Sequence, residues 1–527
     1  MGSLLLSGAL VALDTSDEFR SDQQAYNLLV ERKLDPSLLA RDPIFGREPD
    51  LFHVPWFLDL QAWLARRAGG DPERALAWLA WLMGALYLAG HYALFRAVSG
   101  RPLPAALAAI GALAVRNSLG GEFWGFDGLR SAATRTIMAG LTPLLLLLFL
   151  RWRERGRFPA FFLLPGMLFN VHPVSAYQLA QATGLAHVWL APRRLRAAGQ
   201  VAIGAGLFVL GALPYVARFF PLRDNVSEAA DLALARAALD YRFPYLLYPI
   251  ALPALLSVAF HASLLVCVWL WWRRRGRPSP AMSALEPVLV AAVALGLLGP
   301  ALFQALGRWL DRPYVDIQQL RSVRLAYPIL LCALALTYAR LLDRGTRGAR
   351  AAVALLLLAS LVSPAWLIHA ASEERREAVK ARLGLGPAAR APTATQADPG
   401  APADPGAVEE LWRWARRETP SGALFLSDDF HFRLEAHRAI TGSYKDGSFA
   451  FLAGSRPLVA WYRLMRETEA CRAAGSRACW FALGRRLGVD YVVVDPRLPA
   501  AADPPPDFAE TWTRGGWSVW KRAGSAG

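Results

Sequence analysis

Six stretches of this chain run on without a charged side chain, at 75–95, 158–192, 197–217, 243–272, 287–307 and 351–372. A bilayer's hydrocarbon layer is about 30 Å thick, and a helix needs roughly 20 apolar residues to cross it. Inside lipid every backbone N–H and C=O must be satisfied within the protein, so only helices and closed barrels cross. Shorter apolar runs lie at 102–115, 136–150 and 325–339, and another at 1–13. The 1–13 run has no basic n-region and no small-residue cleavage site, so it reads as a short first span rather than a cleaved signal peptide. These runs predict a polytopic α-helical membrane protein of about 11 spans.

The net charge of +16 raises the question of nucleic acid. Its distribution answers it. Segments 96–101, 151–157, 193–196, 273–277 and 340–350 hold 17 Arg against two acids, Glu154 and Asp343. Every second loop is therefore basic, as cytoplasmic loops are under the positive-inside rule. Counting crossings from an inner N-terminus puts loops 14–74, 116–135, 218–242 and 308–324 outside, with 158–192 crossing twice around a tip at Asn170-Val-His-Pro173. Everything after Glu373 then lies outside the cytoplasm. The expected divisions are a membrane domain at 1–372 with its outer loop 14–74, a Pro- and Ala-rich linker at 373–406, and an exported α/β domain at 407–527. In that last part VEELWRWARR, RPLVAWYRLMRE and WFALGRRLG read as helices. ALFLS at 423–427 and DYVVVD at 490–495 read as strands. Cys471 and Cys479 lie in the exported part, where a disulfide and two buried thiols both fit.

Apart from His91, His187 and His261, the spans carry almost no ionisable groups, whereas coupled transporters usually place them mid-membrane. Charge gathers instead at the outer ends of the spans. DTSDEFRSDQQAY, 14–26, holds Asp14, Asp17, Glu18 and Asp22. In a helix Asp14, Glu18 and Asp22 would repeat every four residues, a like-charge spacing that costs a few tenths of a kcal/mol per pair. One reading makes a carboxylate here a general base. The other makes the cluster a helix cap, since Thr15 and Glu18 have capping-box spacing. Asp42 belongs to the same loop. Arg321 and Arg324 in QQLRSVRLAYP lie three apart, on one helix face, where they either clamp a phosphate or snorkel to lipid headgroups. Arg130 and Arg135 are a second candidate phosphate contact, and His172 stands at the hairpin tip, as a polar cap or a site residue.

With these residues in place, the chain resembles the GT-C superfamily of integral membrane glycosyltransferases, which includes protein O-mannosyltransferases and the aminoarabinose transferases that modify lipid A. The resemblance rests on Asp17-Glu18-Phe19-Arg20 after the first span, on 35–43 and HVPWFLDLQAWLAR, 53–66, as the rest of that loop, and on many spans followed by an exported domain. It covers roughly 1–372; the C-terminal stretch resembles exported α/β domains of uncharacterised bacterial GT-C-like proteins. It implies a polyprenyl-phosphate-linked sugar as donor, a glycan, lipid or protein acceptor, and a cytoplasmic (inner) membrane location. Asp17, Glu18 and Asp22 are then the catalytic candidates. Asp14, Asp42, Arg130, Arg135, His172, Arg321 and Arg324 are the substrate-binding ones. The chain has no second clear Asp-x-Asp motif, so a divalent metal stays an open question. Two other classes compete: a transporter or flippase of cell-envelope glycan assembly, and a non-catalytic membrane scaffold.

Overall fold

The computed structural model describes residues 21–47, 54–114, 134–225, 228–242, 252–275, 279–309, 319–361, 405–496, 498 and 505–524. The chain divides into two compact units. The first takes Met1–Gln23, His53–Ala217 and Tyr245–Ala388, and the second Gln24–Phe52, Arg218–Pro244 and Ala389–Gly527.

The first unit is helical. Asp71 starts the helix Pro72–Ser99, its carboxylate accepting from the backbone N–H of Glu73 at 2.9 Å and Arg74 at 3.0 Å, with Pro72 at a position that needs no N–H donor. Helices Pro102–Ala114, Thr134–Glu154, Pro173–Leu190, Leu252–Arg275, Pro280–Trp309, Ala326–Asp343 and Arg347–Leu361 follow, and Arg194–Leu222 begins in this unit. Among the described residues five helical stretches are long and apolar enough to cross a membrane: Pro72–Ser99, Thr134–Glu154, Arg194–Phe219, Pro280–Gly307 and Gln319–Asp343. The chain is a multi-pass membrane protein by that measure. Pro102–Ala112 and Phe158–Leu168 are shorter apolar helices. Buried Leu, Ala and Phe from most of these helices form one continuous core, with the stretch 325–335 almost wholly inside it.

The break expected inside 158–192 falls at the expected tip. Short helices Phe158–Phe161 and Leu163–Leu168 stop before Asn170, and a new helix starts at Pro173. Asn170 is fully buried and locks this corner. Its amide donates to the carbonyl of Gly211 at 2.9 Å, and its carbonyl accepts from Tyr215 N–H at 2.7 Å. His172 caps the new helix, Nδ1 accepting from Ser175 N–H at 3.2 Å.

The second unit is built on a five-stranded sheet in the order β2-β1-β3-β5-β4. β1 (Leu424–Leu426), β2 (Ala439–Ile440) and β3 (Tyr491–Val494) are parallel, and every residue of the three is buried. β4 (Phe508–Arg514) and β5 (Trp517–Arg522) complete it as an antiparallel hairpin. Its two-residue turn is Gly515-Gly516, both at positive φ, the backbone such hairpins require. Helices Ser455–Ala473 and Arg477–Leu487 are tied down by tryptophans, Trp461 donating to the Ser443 carbonyl at 2.7 Å and Trp480 to that of Val493 at 2.8 Å. Cys471 and Cys479 form a disulfide across the turn joining these two helices.

Two stretches assigned from sequence to the membrane part belong to this unit. The segment Arg218–Pro244 lies against the C-terminal stretch: Asp224 N–H donates to Ala453 O at 3.0 Å, and Arg456 N–H to Asp224 O at 3.0 Å. Gly454, at φ 127°, permits that approach, since a Cβ there would sit 2.2 Å from Asp224 O. The segment Gln24–Phe52 is held by Asp42. This carboxylate, expected at a substrate, is fully buried and already committed. Oδ1 accepts from the N–H groups of Ile44 and Phe45, and Oδ2 from Arg433 Nε at 2.7 Å and Ile440 N–H at 3.2 Å. Arg433 extends its other edge to both oxygens of Asp446, at 2.8 and 2.9 Å, and its Cζ lies 4.6 Å from the centre of the Phe45 ring. Burial alone would pull the pKa of this guanidinium down; the charges of Asp42 and Asp446 outweigh it and raise the pKa.

Removing one partner of such a cluster strands the remaining charges away from water. Arg433→Met is expected to destabilise the second unit by about 3–5 kcal/mol. Thermal unfolding of the purified full chain measures it, and an unchanged midpoint would refute the role given to Arg433.

Candidate functional site

A cavity of ≈ 50 Å³ opens within the first unit. At ~10–15 Å³ per water centre it has room for a few waters or one small anionic group. Arg135, Arg321 and Arg324 all line it, together with Tyr87, His91 and Gln178. Each guanidinium is a donor in every protonation state a protein reaches, and its fork matches phosphate oxygens two at a time. Among the described residues the lining holds no carboxylate. Chemically, the arrangement suits an anion.

The elements around the cavity place these groups for local reasons. Gln319–Leu325 is a 3₁₀ helix rather than the start of an α-helix. At three residues per turn, positions i and i+3 eclipse, so Arg321 and Arg324 stand one above the other. Two glycines of helix Pro280–Trp309 seat the turn. A Cβ on Gly299 would lie 2.1 Å from Gln319 Cγ, and one on Gly296 2.5 Å from Val323 Cγ2. Ser322 and Gln319 then fasten it, the hydroxyl donating to Ala292 O at 2.6 Å and the amide to Gln181 Oε1 at 3.0 Å. Arg135 comes from the first turn of Thr134–Glu154, and Ser175 and Gln178 from the first two turns of Pro173–Leu190. The N-terminal end of that helix carries positive partial charge and adds to the cationic character of the wall. Tyr87 and Tyr327 both donate to Ala112 O, at 3.0 and 3.2 Å, which fixes the apolar floor.

Of the residues singled out in the sequence, three thus come together here: Arg135, Arg321 and Arg324. His172 is an N-cap and is not among the cavity's lining residues. Asp42 is enclosed in the second unit. Asp14, Asp17, Glu18 and Arg130 lie outside the described residues, and of Asp22 only the backbone, in the helix Ser21–Leu34, is described. Among the described residues no group of three or more His, Cys, Asp or Glu gathers as a metal site. Sequence reasoning passed over His91, Tyr87 and Gln178 as lining residues. A lone histidine in an apolar span was the available signal.

The second unit has a polar locus of its own. In the order β2-β1-β3-β5-β4 the chain leaves β1 toward one edge of the sheet and leaves β3 toward the other, so the carboxyl ends of β1 and β3 flank a switch point where α/β sheets usually bind ligands. Asp428 follows β1 and Asp495 follows β3. Arg472 bridges them, Nη1 to Asp428 at 2.5 Å and Nη2 to Asp495 at 3.0 Å. This edge is filled by the protein's own ion pairs.

Fold and cavity together define a multi-pass helical membrane protein with an arginine-lined pocket and a separate α/β unit. Residues 406–468 match the model of a domain of unknown function, DUF6798, a stretch that includes β1, β2, Arg433 and Asp446. No curated protein matches the chain.

The seating of the 3₁₀ turn is testable. Gly299→Ala drives a methyl into the root of the buried Gln319 side chain. It is expected to cost about 1–3 kcal/mol, measured by thermal unfolding in detergent, while Gly348→Ala, with no atom within 4 Å of its added methyl, leaves the midpoint in place. Equal midpoints for both variants would refute this seating.

Proposed function

We propose that this chain is a membrane glycosyltransferase of GT-C type, which moves a sugar from a polyprenyl-phosphate donor to an acceptor at the outer face of a bacterial-type cytoplasmic membrane. The observation that carries the reading is the convergence of Arg135, Arg321 and Arg324 on one cavity of the helical unit. A lipid phosphate is the anion that a membrane helix bundle meets most directly.

The topology of about eleven crossings has support of its own. Gln24–Phe52, Arg218–Pro244 and Ala389–Gly527 fold into one unit, so they lie on one side of the membrane. Between the first and second stretches the sequence offers six apolar arms, and between the second and third it offers four. Both numbers are even, as one-sidedness demands. The disulfide Cys471–Cys479 fits an oxidising compartment outside the cytoplasm.

In the reaction the acceptor hydroxyl oxygen attacks the anomeric carbon. The new C–O bond forms as the bond from that carbon to the phosphate oxygen breaks, and the lipid phosphate leaves with the electron pair. The hydroxyl proton passes to Asp17 or Glu18, with Asp22 as the further candidate in the same acidic stretch. Negative charge accumulates on the departing phosphate, where the three guanidiniums lower its energy; preorganised donors of this kind supply a large share of catalysis.

The test uses the full chain in liposomes with a panel of prenyl-phosphoryl sugars, reading release of prenyl phosphate. Asp17→Asn and Glu18→Gln are expected to separate, one of them losing on the order of a hundredfold or more. Arg321→Gln with Arg324→Gln should lose turnover by a similar factor. Full activity in both carboxylate variants would remove them as the base, and full activity in the arginine pair would overturn the cavity as the phosphate site.

A further inference from the structure

His91 is almost completely buried in helix Pro72–Ser99, and it lines the arginine cavity. Its ring rests between Tyr87, 4.2 Å away centre to centre, and Phe95 at 5.3 Å. Nδ1 lies 2.9 Å from the backbone carbonyl of Tyr87. A carbonyl oxygen has no hydrogen to give, so Nδ1 carries the proton and donates it. In the neutral ring Nε2 is then left with a lone pair and acts only as an acceptor. Nε2 meets no hydrogen-bond partner among the described residues. A buried polar atom in that condition costs about 1–3 kcal/mol until something satisfies it.

The wall therefore asks for two things at once. Its guanidiniums call for an anion, and its imidazole calls for a hydrogen-bond donor. A fully ionised phosphate oxygen set against Nε2 would bring two lone pairs together. A hydroxyl close to the phosphate would answer both demands, donating to Nε2 while the phosphate oxygens accept from the arginines. We infer that His91 reads a hydroxyl, so the cavity takes a phosphodiester with a hydroxyl-bearing substituent in preference to a bare lipid phosphate. The inference rests on the proposed reading of the cavity as a phosphate site and names its specificity-determining residue. Two ligands share this chemistry: a prenyl-phosphoryl sugar and the glycerol headgroup of phosphatidylglycerol.

The experiment measures binding to the purified full chain in a detergent without a sugar headgroup. The probes are citronellyl phosphate, citronellyl-phosphoryl glucose and short-chain phosphatidylglycerol. The wild type is expected to prefer the phosphoryl glucose over the bare phosphate by about tenfold, the worth of one hydrogen bond. His91→Phe should abolish that preference. His91→Gln, whose amide oxygen reaches toward the place of Nε2, should restore part of it and guards against a folding defect in the Phe variant. A preference that survives both substitutions would overturn the role of His91. If Arg321→Gln with Arg324→Gln leaves every affinity unchanged, the phosphate reading fails instead. His91-dependent binding of phosphatidylglycerol without discrimination between the two citronellyl probes would uphold the hydroxyl reader and overturn the glycosyl donor as its ligand.

Discussion

A guanidinium with no exposed surface has to be answered by charge close at hand, and the two carboxylates that answer Arg433 come from opposite ends of the chain. Asp446 lies 13 residues away and Asp42 lies 391 away. Neither carboxylate reaches water, so the three groups stand or fall together. Around them gather the aromatic faces of Phe45, Phe430 and Phe449, with Phe45 and Phe449 edge to face at 5.0 Å. This cluster joins the early loop to the sheet unit. It also means that the C-terminal stretch is not self-sufficient: cut from the rest, it would leave Arg433 half neutralised.

In the helical unit the equivalent discipline comes from backbone. Asn170 supplies the hydrogen bonds that the corner before Pro173 needs, and the glycines of helix Pro280–Trp309 leave room for a turn that would otherwise be pushed away. Both devices act on elements that reach the same cavity. Its cationic and acceptor groups are thus set on packed helices and a fastened turn, which is how a site is held ready before its ligand arrives.

The apolar runs and the buried strands of the sheet unit were legible because a bilayer and a sheet core both write themselves as composition over short windows. The three-residue spacing of Arg321 and Arg324 was legible for the same reason, and the 3₁₀ winding places the pair more closely in line than an α-helix would. The tip at Asn170 to Pro173 was readable from the length of the 158–192 run and the basic loops at both its ends. Asp42 was not, since nothing near it in sequence hints at a partner 391 positions on. A carboxylate in a polar loop looks like a ligand-binding group until its partner is found. His91 failed for another reason. The sequence can place a histidine in a span, but which ring nitrogen is left over depends on one hydrogen bond to Tyr87.

The seven-residue turn that carries Arg321 and Arg324 runs directly into the helix Ala326–Asp343 with no cap between them. A 3₁₀ helix rises about 2.0 Å per residue and an α-helix about 1.5 Å. Rewinding these residues as α would shorten the stretch by about 3.5 Å and swing one arginine roughly 60° away from the other. A ligand gripped by both guanidiniums would favour the tighter winding, and its occupancy of the cavity would then be coupled to the pitch of this segment. On the phosphate reading proposed above, an anion bound there would hold the set point of this winding.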